Sequence, residues 1–97
     1  MRAIFHPAAL EEMDKAAAYY DERVAGLGDD FLVRVQASVE RIEENPRQFP
    51  VTRHSARRAQ IGRFPYGLVY LIRNDHIWII AAMHLQRRPG YWKDRLK

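Results

Sequence analysis

The stretch "YGLVYLIRNDHIWIIAAMH", Tyr66–His84, decides how this chain folds. Both halves are rich in β-branched and aromatic residues, and Asn74-Asp75 between them has the chemistry of a tight hairpin turn. Tyr66–Arg73 therefore pairs back on His76–His84. The second strand is apolar on both faces through "IWIIAAM" (Ile77–Met83), the mark of a central strand. Upstream, "ARRAQIGRF" (Ala56–Phe64) reads as a mixed, basic strand. Beyond "NPRQFP" (Asn45–Pro50) the apolar spacing lengthens to that of a helix. Leu32, Val35, Val39 and Ile42 form one stripe, with Phe31 beside it, and Asn45-Pro46 ends it because a residue before proline leaves the α region. Leu10, Met13, Ala17, Tyr20 and Val24 form a second stripe, opened by Pro7 at a position where its missing N–H costs nothing. "GLGDD" (Gly26–Asp30) separates the helices, with Asp29 or Asp30 expected to cap the second. "RAIF" (Arg2–Phe5) supplies a first strand and "PGYWKDRL" (Pro89–Leu96) a last helical turn. The expectation is one α+β domain over residues 1–97: an N-terminal strand, an antiparallel two-helix hairpin packed on an antiparallel three- to four-stranded sheet, and a short C-terminal tail or helical turn.

Composition narrows the function. With no cysteine in 97 residues, disulfides and thiolate metal sites are excluded. The longest apolar run has seven residues, far too few for a membrane span, and acid appears at Glu11 before any signal-like core develops. The chain is expected to be soluble and cytoplasmic, with no membrane partner. Its net charge of +4 is unevenly spread. Residues 1–50 carry six Lys/Arg against ten Asp/Glu, and residues 51–97 carry ten against two, so the halves differ as −4 and +8. The basic half suits nucleic acid or an acidic peptide.

Chemistry concentrates in "HLQRRPGYW" (His84–Trp92). Cutting RNA through its own 2′-hydroxyl needs a base, an acid and cations where phosphate charge develops, but no metal. Arg57, Arg58, Arg63, His84, Arg87, Arg88 and Tyr91 are the right residue types, and Tyr91 or Trp92 has the ring to stack on a base. The same residues have plainer uses. A strand-end histidine commonly bonds backbone, aromatic rings pin tails, and arginines keep an edge strand soluble. Tyr66, Tyr70 and Trp78 fit as sheet faces, while His6 and His54 show no partner. No metal-ligand spacing, glycine-rich phosphate loop or nucleophile elbow is present, and no cofactor is expected.

The order of strand, two helices, "NPRQFP", basic strand, "FPYGLVYLI", "NDHIWIIAAMH" and "RRPGYWKDR" resembles the RelE/ParE family of bacterial toxin–antitoxin toxins over nearly the whole chain. The resemblance implies a small α+β toxin neutralised by a cognate antitoxin, with operator DNA bound only through that antitoxin. Leu10, Met13, Tyr20, Phe31, Val35, Arg57 and Arg58 are the antitoxin contacts it implies. In the RelE-type branch, which cuts mRNA on the ribosome, His84, Arg87, Arg88 and Tyr91 would be catalytic. That branch also carries an arginine in a "YRLVY" strand, where this chain has Gly67. The ParE-type branch inhibits DNA gyrase by binding and needs no catalytic set. There Arg57, Arg58, Arg63, Arg87, Arg88 and Trp92 would meet the target. Gly67 tips the reading toward ParE, a non-enzymatic toxin; an mRNA endoribonuclease or an inactive antitoxin-binding remnant is the alternative.

Overall fold

The computed structural model describes residues 1–96. Its elements are β1 (Ala3–Phe5), α1 (Pro7–Arg23), α2 (Leu27–Glu44), β2 (Arg57–Gln60), β3 (Tyr66–Ile72), β4 (Ile77–His84) and a 3-10 turn over Lys93–Leu96. Strands run in the order β1-β4-β3-β2, which makes β4 central as its two apolar faces require. β2, β3 and β4 are mutually antiparallel, whereas β1 lies parallel to β4, so the sheet is mixed rather than wholly antiparallel. No hairpin joins β1 to β4, so no turn dictates its direction.

The helices cover one face. Phe31, Val35, Val39 and Ile42 of α2 meet Ala9 and Ala16 of α1 and Leu68, Tyr70, Ile77, Ile79 and Ala82 of the sheet. Tyr20, Phe31, Phe64 and Tyr66 interlock at this end with ring centroids 4.9–6.2 Å apart. Each buried side chain of this size contributes roughly 1.5–3 kcal/mol. The first stripe is rotated from the expected one: Leu10 is 42% exposed and Val24 59%, while Ala9 and Ala16 are buried. Small residues let α1 lie close to the sheet. Gly28 does the same between helices, since a Cβ there would collide with the carbonyl oxygen of Ala17.

Neither Asp29 nor Asp30 caps α2. The helix starts earlier, at Leu27, placing both in its first turn, where they face the positive end of its dipole. Asp21 of α1 supplies the cap, its Oδ1 accepting from the N–H groups of Gly26 at 3.1 Å and Gly28 at 2.9 Å. His6 caps α1, its Nδ1 accepting from Ala8 N–H at 2.9 Å.

The C-terminal segment covers part of the other face. Val69, Ile80, Ala81, Met83 and Ala56 form a second core with Trp92, flanked by Leu71, Trp78, Tyr91 and Leu96. The register between β3 and β4 slips by one at Val69/Tyr70, leaving Ile80 unpaired. Ile80 and Ala81 then point the same way, adding a residue to this second core. No helix among the described residues is long and apolar enough to cross a membrane.

Candidate functional site

β1 pairs with β4 only as far as Ile79, whose carbonyl takes His6 N–H at 2.8 Å. Beyond that point β1 has turned into α1, and the edge of β4 needs other partners. Glu12 of α1 meets this need: its Oε1 accepts from Ala82 N–H at 3.1 Å. The same carboxylate receives both arms of the Arg95 guanidinium, at 2.8 and 3.1 Å, and the Tyr91 hydroxyl at 2.6 Å. Arg95 also donates to the Ile80 carbonyl at 3.0 Å. One glutamate thus ties α1, the β4 edge and the C-terminal turn together. Glu43 of α2 does a smaller version on β1, along the same side of the sheet, accepting from Ala3 N–H at 2.8 Å.

This network fixes what "HLQRRPGYW" has available. Tyr91 donates to Glu12, and burial together with that hydrogen bond holds its pKa well above the ordinary tyrosine value. A proton held so firmly serves poorly for acid or base work near neutrality. Arg87 stacks over the Tyr91 ring at 3.9 Å, with Glu12 Oε2 3.7 Å from its Nη1. Trp92 is 1% exposed and stands inside the second core, so it offers no ring to a target. Its indole N–H has no acceptor among the described residues. His84 accepts from Gln86 N–H through Nδ1 at 3.1 Å and packs against Tyr66. It shares a shallow groove of about 210 Å³ with Glu12, Lys15, Tyr19, Tyr66 and Arg87. Arg88 is exposed, and its side chain makes no ion pair or hydrogen bond among the described residues.

The basic strand divides its cations. Arg57 points to the helix side and donates to the carbonyls of Phe49 at 2.6 Å and Arg47 at 3.1 Å, while Tyr70 donates to that of Pro46 at 2.5 Å. Together they clamp the loop after α2. Arg58 pairs in register with Val69 and so lies on the tail side. Its stem crosses Gly67, where a Cβ would come within 2.9 Å of Arg58 Cγ. Position 67 is empty because Arg58 fills it. His84 and Arg58 therefore stand on opposite faces of the sheet, whereas His84 and Arg87 of the expected catalytic set line one groove and Arg87 stacks on Tyr91. Arg63 is exposed beside another groove, about 590 Å³, with Leu27, Asp30, Val33, Arg34 and Phe64.

Among the expected antitoxin contacts, Phe31 and Val35 are core, Met13 and Tyr20 are half-buried against it, and Leu10 and Arg58 remain open. Val33, not foreseen, is 66% exposed. Glu12 and Arg95 were also missed. Glu12 has a signal, since it lies three residues after Ala9 and four before Ala16, a lone charge on the buried stripe. Arg95 has none.

The tip between Val51 and Arg57 carries backbone strain. Ala56 N–H donates to the Arg53 carbonyl at 2.9 Å, and the residues between, His54 and Ser55, have φ of 55° and 64°. That is the φ signature of a type I′ turn, for which Asn-Gly is the favoured pair. For residues with a Cβ the left-handed region costs about 1–2 kcal/mol each.

The model of the ParE toxin of the type II toxin–antitoxin system parDE matches residues 3–89. Among solved structures, a chain of the chromosomal ParDE system from P. aeruginosa superposes with a TM-score of 0.77 at 14% identity, covering 87% of this chain and 95% of that one. No curated protein matches. The sequence match spans most of the chain, and the shared fold agrees with it: the chain belongs to the family of ParE toxins of type II toxin–antitoxin systems.

Proposed function

We propose that this toxin arrests growth by binding a cellular target, DNA gyrase, rather than by cutting RNA, and that a cognate antitoxin neutralises it. The observation that carries this reading is the commitment of Tyr91 and Trp92 to the fold. The hydroxyl is held by Glu12, the indole is buried, and His84 and Arg58 lie on opposite faces. The C-terminal segment leaves the cations Arg87, Arg88 and Lys93 exposed, with Asp94 as its exposed acid. Exposed cations on a rigid support suit binding, which needs complementarity but no convergent acid and base. The antitoxin finds apolar anchorage on the helices at Leu10, Val24 and Val33, and in the groove lined by Leu27 and Phe64.

The test is inducible expression without antitoxin, followed by two assays. Growth arrest with intact mRNA, and inhibition of gyrase supercoiling by the purified protein, is the expected result. Codon-end cuts on ribosomal mRNA with supercoiling untouched would replace this reading with the endoribonuclease. Absence of toxicity would make the chain an antitoxin-binding remnant.

A further inference from the structure

The tail-side surface holds a group of cations that the fold does not use. The Arg58 stem and the Leu85 side chain both lie over Gly67, and the Arg53 stem runs beside Gly90, with Cδ 3.4 Å from where a Cβ would stand. The segment Leu85–Gly90 therefore passes close to β2 and to the turn before it, and Arg88 lies between these two contacts in the chain. Arg53, Arg58 and Arg88 are all exposed, and none of their guanidinium groups makes an ion pair or hydrogen bond among the described residues. Of the other arginines of the same half, Arg57 is spent on carbonyls, Arg95 and Arg87 on Glu12 and Arg73 on the Leu96 carbonyl, while Arg63 lies apart, beside the groove of Leu27 and Phe64. The strained turn at His54 and Ser55 follows Arg53, with the His54 ring edge-on to Trp92. Only two acidic residues, Asp75 and Asp94, lie in residues 51–97 to oppose this charge.

We propose that Arg53, Arg58 and Arg88 form a phosphate-backbone docking surface for duplex DNA, used by the toxin itself and independent of sequence. Three unpaired cations gathered where the tail meets the segment before β2 suit a polyanion. Single-stranded nucleic acid is held in addition by exposed rings, and here Tyr91 and Trp92 are turned inward, so the duplex is the fitting occupant. The surface goes beyond the gyrase reading and does not depend on it, because the binding is measured with no gyrase present.

The experiment is fluorescence anisotropy of a short labelled DNA duplex of arbitrary sequence, titrated with the full-length toxin. Neutralising three phosphates predicts a loss of affinity of roughly 40-fold between about 50 and about 200 mM salt. Arg53→Gln, Arg58→Gln and Arg88→Gln combined should remove most of that salt dependence while keeping the side-chain stems that pack on Gly67 and Gly90. Arg23→Gln, Arg34→Gln and Arg41→Gln combined, which removes equal charge from the helices, should leave binding within about twofold of wild type. Equal losses in both triple variants would overturn the proposal by reducing the effect to net charge. So would undetectable binding by wild type at the lower salt, or displacement of the duplex by polyglutamate or a single strand more readily than by unlabelled duplex. Thermal melting of both variants at the wild-type temperature secures the comparison.

Discussion

The two faces of the sheet are covered by different means. On one, seventeen- and eighteen-residue helices lay continuous apolar stripes over the strands. On the other, a tail of about a dozen residues is held by one buried tryptophan and one carboxylate. The first face is a hydrophobic core in the ordinary sense, stabilised by area removed from water. The second depends on a few directed contacts, so it should fail locally and electrostatically where the first fails globally. That difference places the exposed cations on the side that can be altered without losing the fold.

Removing a ring from the helix-covered face should give the largest effect. Phe31→Ala is expected to cost about 3–5 kcal/mol in urea unfolding, with one cooperative transition reported alike by all probes. A value near 1 kcal/mol with no packing rearrangement would refute its central place.

Glu12→Ala should cost about 2–3 kcal/mol, less than for a fully buried pair because Glu12 and Arg95 each retain some exposure. Its signature is regional. Amide exchange at Lys93 and Arg95 should quicken strongly while the α2 core stays protected. Uniform loosening would deny the tail its separate status.

Tyr91→Phe removes one hydrogen bond and should cost about 1–2 kcal/mol at neutral pH. It also carries a pH signature. A tyrosine whose pKa is raised by folding stabilises the fold fully below its unfolded value near 10, and that contribution is lost as pH rises further. Wild type should therefore lose stability above about pH 10 more steeply than Tyr91→Phe. Tyr20, Tyr66 and Tyr70, all raised mainly by burial, leave a residual slope in both proteins. Identical slopes would mean that Tyr91 is not held as described.

Smallest in stability is Arg87→Ala with Arg88→Ala, expected within about 0.5 kcal/mol of wild type, since neither arginine is needed by the core. In growth assays the pair should nevertheless abolish toxicity; full toxicity would take the C-terminal cations out of the working surface.

Periodicity and punctuation made the helix-covered face readable in advance. Pro7 opened α1, Asn45-Pro46 closed α2, and "IWIIAAM" proved central. Short, unpatterned elements were less legible. β1 has three residues and no turn to fix its direction, so its parallel pairing emerges only from the assembled sheet. Phe31 and Val35 looked available to a partner because a stripe shows which face is apolar, not what already covers it. Glu12 and Arg95 lie 83 positions apart, and nothing local in either signals the other. The role of Gly67 also depends on a neighbouring strand: its emptiness is filled by Arg58, a contact visible only once the strands are in register.

The central claim is that the tail's aromatic residues build the fold while its exposed cations do the work, by binding. Its most direct test is gyrase supercoiling in the presence of purified wild type, Tyr91→Phe, and the Arg87→Ala/Arg88→Ala pair, each verified as folded. Inhibition kept by Tyr91→Phe and lost by the arginine pair is the predicted result. Loss of inhibition in folded Tyr91→Phe, or no inhibition by wild type alongside cut mRNA, would contradict it.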